Sequence, residues 1–529
     1  MSLRRGPHRV VTAMEDRLAP LEAEFHRAYW DSQVEATEDN DRRRAELELQ
    51  VRKIKGDAAA LNEVNAALDE GMHELPLRRQ LELLRLSLTS NQMDEDLRAE
   101  LVEVSTAVES AFANHRPEVD GRRVSENEIE HILRSSDDDS LRKRAWVASK
   151  EIGRVVGGRV RELARLRNDV ALSLGYPDHY RMALDLQELS ESWLFGVLDD
   201  LEAATAEPFR AWKDDLDAKL RDRFGVTDLR PWHYADPFFQ QLPPDGGVSL
   251  DGLFGESSAA ELARKTFAGW GIDIERVLSG SDLYPRERKC QHAFCIDIDR
   301  SAKDVRILAN VVPGERWVEV MLHEAGHAAY DVSIDKHMPY LLRRAAHTFV
   351  TEAIAILCGR LPRNPEWLTR VAGFDRSQVD PLVEPLRAAG TVQSLLFTRW
   401  VLVMAHFERD LYLDPEADLD ERWWTYVERF QFVPRPEEGE EGAWAAKIHV
   451  ACAPVYYHNY LLGEVLASQL EATMAGRFGG HVDDPDAGRF LVEEVFRHGA
   501  SLRWDRLVES ATDGPLSARD FVASIGAYR

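Results

Sequence analysis

A chain of 529 residues, 44% hydrophobic and 30% charged, has the make-up of a globular protein with room for a large core. Its formal net charge of −26 argues against a nucleic-acid-binding surface, because phosphates would be repelled. Four cysteines (Cys290, Cys295, Cys358 and Cys452) do not make a disulfide framework in so long a chain, and no run approaches about 18 consecutive apolar residues, so free thiols and no membrane span are expected.

The opening stretch, MSLRRGPHRVVTAMEDRL, holds arginines but no apolar run of signal-peptide length, and cytoplasm is the expected location. Residues 10 to 230 read as long helices. Within MEDRLAPLEAEFHRAYWDSQVEA, Leu18, Leu21, Phe25 and Tyr29 fall at helical spacing. RRQLELLRLSLTSNQMDEDLRAELVEVSTAVESAF and WLFGVLDDLEAATAEPFRAWKDDLDAKLRDRF repeat the pattern, with charges on the remaining faces. QQLPPDGGVSLDG, residues 240–252, reads as a loop rich in turn formers. HAFCIDID and DVRILANV then alternate apolar residues with others on either side of RSAK, which predicts two short strands joined by a turn. The edge of such a sheet can pair with an extended peptide. Further on, PRPEEGEEGAW, residues 434–444, is an acidic surface loop.

Between these regions lies VMLHEAGHAAY, residues 320–330, with the pattern H-E-x-x-H. The surroundings are apolar and free of proline, so a helix is predicted from Trp317 to Tyr330. At about 3.6 residues per turn, His323 and His327 share one face, one turn apart, and can hold one zinc ion at about 2.0–2.1 Å from each. Glu324 follows the first histidine and can take a proton from a water on that ion. The same spacing also arises by chance, so a third ligand decides the matter. The second histidine is not followed by the glycine and third histidine of the metzincins: Asp331 and Ser333 stand in that stretch. A His2Glu site instead draws its third ligand from a following helix. TFVTEAIAILCGRL is such a helix, and Glu352 sits in it among Phe349, Val350, Ile354, Ile356 and Leu357. A carboxylate buried there needs a partner, either the ion or an arginine such as Arg343 or Arg344.

The stretch 304–355, DVRILANVVPGERWVEVMLHEAGHAAYDVSIDKHMPYLLRRAAHTFVTEAIA, resembles the catalytic segment of the angiotensin-converting-enzyme family of dipeptidyl carboxypeptidases. QHAF at 291–294, AKIH at 446–449 and PVYYHNYLLGEVLASQL at 454–470 add to the likeness, the last in wording nearer the thimet oligopeptidase/oligoendopeptidase family. Both families share a gluzincin fold. The resemblance implies a mainly α fold, with two helical lobes enclosing a deep channel and a small β-sheet beside the zinc helix. It implies one metallopeptidase domain over residues 1–529, with a helical part to residue 240, a catalytic core at 285–475 and C-terminal helices at 476–529.

The implied cofactor is one Zn2+ per chain on His323, His327 and Glu352, with Glu324 as the base. The resemblance also implies that His449, Tyr457 and Tyr460 donate to the oxyanion, with Tyr456 or His458 as the alternative partner, since the chain differs by about one residue from either family between His449 and the tyrosines. His292 and Ala293 would contact the peptide backbone, Lys447 would grip a C-terminal carboxylate, and Tyr456 would contact substrate. The expected activity is hydrolysis of short peptides, with release of C-terminal dipeptides. The alternatives are an oligoendopeptidase, a hydrolase tailoring one dedicated peptide, and an inactive peptide-binding protein. Two departures stand out. Where the family often carries an aspartate that orients a zinc histidine, this chain has Ile356. No arginine occupies the stretch between Tyr457 and Tyr460, so the resemblance does not carry chloride activation over to this chain.

Overall fold

The computed structural model describes residues 6–71, 74–243, 247–255, 257–437 and 441–525. The two loops expected at 240–252 and 434–444, and the opening MSLRR, lie partly or wholly outside these residues. Helices dominate the described residues, and the strands form two antiparallel pairs, Glu118–Val119 with Arg122–Arg123 and Phe294–Asp299 with Asp304–Leu308.

The chain divides into two compact units. The first comprises Met1–Gln92, Ser249–Val383 and Leu462–Asp520; the second comprises Met93–Val248, Glu384–Leu461 and Phe521–Arg529.

In the first unit, the helix Pro7–Val34 starts with proline at its first position, where the missing N–H has no intrahelical partner to lose. Its buried side turns on Val10, Val11, Met14 and Leu18, which pack with Ala60, Val64, Leu77, Leu81, Leu84 and Leu88. Of the four residues expected on the apolar face, Leu18 is buried, whereas Leu21, Phe25 and Tyr29 are half-buried. The larger rings face other neighbours: the Tyr29 and Trp30 rings both meet the Phe294 ring edge-on.

The two strands predicted around RSAK form as expected. Phe294 pairs with Leu308 and Ile296 with Arg306, and the register slips between Asp297 and Asp299. Asp299 closes the turn by accepting the N–H groups of Ser301 and Ala302 at 2.8 and 3.1 Å. The inner residues Ile298, Val305, Ile307 and Leu308 are buried, and the hairpin packs against the helix Glu315–Ser333.

The second unit is built on long helices, among them Asp139–Ser173 and Glu191–Phe224. Side-chain oxygens of Asp138 and Ser190 cap their first turns. Aromatic rings fill the interior: Trp400 meets Trp423 at 5.9 Å and Phe407 meets Trp444 at 5.6 Å between ring centroids. Backbones touch where Gly153 faces Gly442, since a Cβ on Gly153 would stand 2.0 Å from the Gly442 carbonyl oxygen. The segment Arg376–Leu413 is long and apolar enough to cross a membrane by length and composition alone. However, 72% of its most apolar window is buried inside the protein, the mark of a core helix.

Candidate active site

The helix Glu315–Ser333 carries His323, Glu324 and His327, as the apolar periodicity predicts. Met321, Leu322, Ala325, Ala328 and Ala329 anchor it in the core. The following helix, Thr348–Gly359, carries Glu352 and is capped at its start by His347, whose Nδ1 accepts the Phe349 N–H at 3.1 Å. The two helices come unusually close at Gly326. A Cβ there would lie 2.9 Å from Ala355 Cα and 3.1 Å from both Cys358 Sγ and the Ile354 carbonyl oxygen. Gly463 serves the same end on another side, where a Cβ would stand 3.2 Å from Glu352 Cβ.

This close packing brings three ligand atoms together. His323 Nε2 lies 3.7 Å and His327 Nε2 4.0 Å from Glu352 Oε2, and ligand atoms from the three residues all fall within 4.8 Å of one another. The ion pair from Glu352 to an arginine, weighed in the sequence as the alternative, is thus set against two imidazoles facing the same oxygen. Burial drives the His323 proton affinity down to about 4 and that of His327 to about 3, with the neighbouring His323 adding to the second shift. Both rings are therefore neutral near pH 7 and keep a lone pair to offer. Two neutral imidazoles and a carboxylate are the donor set of a His2Glu zinc site, and these three residues would hold the ion.

Glu324 is also buried, and its pKa rises to about 7. Burial is the main cause and the Glu352 charge adds to it, while a backbone hydrogen bond from Cys295 opposes them. That bond ties Glu324 to the strand Phe294–Asp299. His292 and Ala293 precede this strand, with His292 exposed and Ala293 half-buried.

The other expected residues belong to the second unit and cluster there. The His449 and Tyr457 rings lie 5.0 Å apart, Tyr457 and Tyr460 5.4 Å, and Tyr456 and Tyr460 5.2 Å. Tyr457 is buried, its hydroxyl accepts a 2.8 Å hydrogen bond from Trp400 Nε1, and burial raises its pKa to about 12. Burial lowers His449 to about 4, with the Lys447 charge contributing. His449 Nδ1 is buried with no hydrogen-bond partner among the described residues.

Lys447 donates to Gln240 Oε1 at 3.0 Å and lies 5.4 Å from the Phe238 and Trp400 ring centroids. Burial brings its pKa down to about 8, opposed by the charges of Asp236, Glu126 and Glu130. The turn before the tyrosines is strained. Val455, β-branched, adopts φ 52. Its N–H is held by Glu408 Oε1 and its carbonyl by Gln187 Nε2, which also accepts through Oε1 from Asn459.

Several contributors were not visible in the sequence. Gln240 opens a stretch that reads as a plain loop, and Asp236 shapes it by accepting the backbone N–H groups of Phe238, Gln240 and Gln241. The partners of the zinc histidines, missing at Ile356, are supplied from two other places. The His323 ring bonds the Ala355 backbone carbonyl, and His327 Nδ1 lies 2.7 Å from Thr351 Oγ1.

A H-E-x-x-H helix with its glutamate on the next helix defines the gluzincin class of zinc metallopeptidases. Residues 281–527 match the model of Peptidase family M3, and residues 5–201 match that of Angiotensin-converting enzyme. Both families are gluzincin metallopeptidases. The M3 match spans every candidate site residue, whereas the likeness of the N-terminal half, visible in the sequence only as helical character, lies with angiotensin-converting enzyme. No curated protein matches the chain.

Proposed function

We propose that the protein hydrolyses peptide bonds in short peptides with one zinc ion held by His323, His327 and Glu352. The convergence of these three side chains beside Glu324 carries this reading. A zinc ion held by these three residues would supply Lewis acidity, polarising the scissile carbonyl and lowering the pKa of the attacking water. Glu324 would accept a proton from the attacking water and pass it to the leaving amine. Its raised pKa suits both directions of transfer, and the Cys295 N–H keeps the carboxylate in place. The strand edge after His292 and Ala293 offers backbone groups to an extended substrate. By the resemblance, His449, Tyr457 and Tyr460 donate to the oxyanion and Tyr456 contacts substrate; the clustering of their rings supports a shared role.

Release of C-terminal dipeptides is the favoured cleavage mode. Lys447 is a partly desolvated cation that donates to Gln240, and the charges of Asp236, Glu126 and Glu130 favour its protonated form. The second reading, an oligoendopeptidase, draws on the M3 match over the catalytic half. Glu324→Gln tests the mechanism. It keeps size and the three ligands but removes the base, so turnover of a short peptide should fall at least about 10²-fold with zinc content unchanged. Near-normal turnover would assign proton transfer to another group.

A further inference from the structure

The geometry points to Thr351 as the residue that positions His327 for metal binding, through a hydrogen bond from the imidazole to the threonine hydroxyl. This rests on the zinc site proposed above. The observation is a 2.7 Å separation between His327 Nδ1 and Thr351 Oγ1. The other ring nitrogen, Nε2, faces Glu352. A neutral imidazole carries one proton, so Nε2 can offer its lone pair to an ion only if Nδ1 carries the hydrogen. At a mostly buried site that N–H needs an acceptor, and a threonine hydroxyl has two lone pairs to offer.

The placement of Thr351 makes the bond rigid. It stands directly before Glu352, and its backbone N–H bonds the His347 carbonyl at 3.3 Å, within the first turn of the helix Thr348–Gly359. One short segment of backbone therefore sets both the carboxylate and the hydroxyl. The close contact at Gly326, one residue before His327, holds the two helices at the distance the bond requires. The division of labour is uneven. His323 is oriented by a backbone carbonyl, at Ala355, which no side-chain substitution removes. His327 depends on a side chain, so its orientation is open to mutation.

The test compares zinc affinity, measured by chelator competition, in wild type, Thr351→Val and Thr351→Ser. Valine keeps the branched shape and lacks the acceptor; serine keeps the acceptor. The expected result is zinc binding weakened about 10–100-fold in the valine variant and restored to within about threefold of wild type by serine. Thermal unfolding of the metal-free proteins supplies the control for folding. If Thr351→Val unfolds, Thr351→Ala replaces it in the same comparison with serine. Wild-type affinity in the variants that lack the hydroxyl would overturn this inference alone. Equal losses in the serine and valine variants would also overturn it, because packing rather than the hydroxyl would then be responsible. A wild-type chain that binds no zinc would overturn the metal reading and this inference with it.

Discussion

Burying Glu324 has a consequence for stability that is separate from catalysis. Its pKa rises from 4.5 to about 7 on folding, so the folded chain binds this proton more tightly than the unfolded chain. The stability tied to this group is fully present below pH 4.5 and is lost as pH rises through about 7. Glutamine at this position carries no such dependence. Metal-free Glu324→Gln should therefore be more stable than metal-free wild type at pH 8, by at most about 3 kcal/mol, and nearly equal to it at pH 4. Urea unfolding at the two pH values measures the difference. A variant that is no more stable at pH 8 would mean that the carboxylate is better solvated than its surroundings indicate. Among the oxyanion candidates, Tyr460→Phe should lower kcat by roughly 10²-fold and leave KM nearly unchanged, because that bond strengthens mainly in the transition state. A matching rise in KM with kcat preserved would make Tyr460 a binding residue.

The helix pair at the metal site shows which features a sequence reveals. His323, Glu324 and His327 were legible because an α-helix turns a spacing of four residues into a shared face. Glu352 was legible because a lone carboxylate in an apolar helix demands a partner. Thr351 and Gln240 were not, since each acts through a contact with a residue far away in the chain, and neither polar side chain departs from its local pattern. The strand pair was legible from period-two alternation, but the choice of which apolar residues of the first helix are fully buried was not. Leu18, Leu21, Phe25 and Tyr29 satisfy the helical period, yet packing fully buries Leu18 alone of these, together with Val10, Val11 and Met14, and leaves the other three half-buried. Gly326 gives the element-scale prediction. Gly326→Ala places a methyl group against Ala355, Ile354 and Cys358, all rigid neighbours in the core. The helices must separate, at an expected loss of about 1–3 kcal/mol in stability together with weaker zinc binding. Denaturation and chelator titration measure the two effects, and an alanine variant equal to wild type in both would show that the helix pair has slack.

At the scale of the molecule, the expectation of a mainly helical fold holds, and both matching family models, M3 over the catalytic half and angiotensin-converting enzyme over the N-terminal part, describe gluzincin peptidases. Lys447 separates the two proposed modes of cleavage. If it grips a terminal carboxylate, peptides with a free C-terminus should be cleaved faster than their C-terminal amides, and Lys447→Ala should raise KM for the acids only. Equal cleavage of acid and amide by the wild type would favour the oligoendopeptidase. The central claim is the zinc-dependent hydrolysis itself. Its most direct test is metal analysis of the purified chain alongside turnover of a quenched short-peptide library, before and after chelation, with His323→Ala in parallel. The expected result is about one zinc per chain in wild type, activity lost on chelation and restored by added zinc, and little metal or turnover in the variant. Peptide hydrolysis at full rate without metal, or undiminished zinc in His323→Ala, would contradict it.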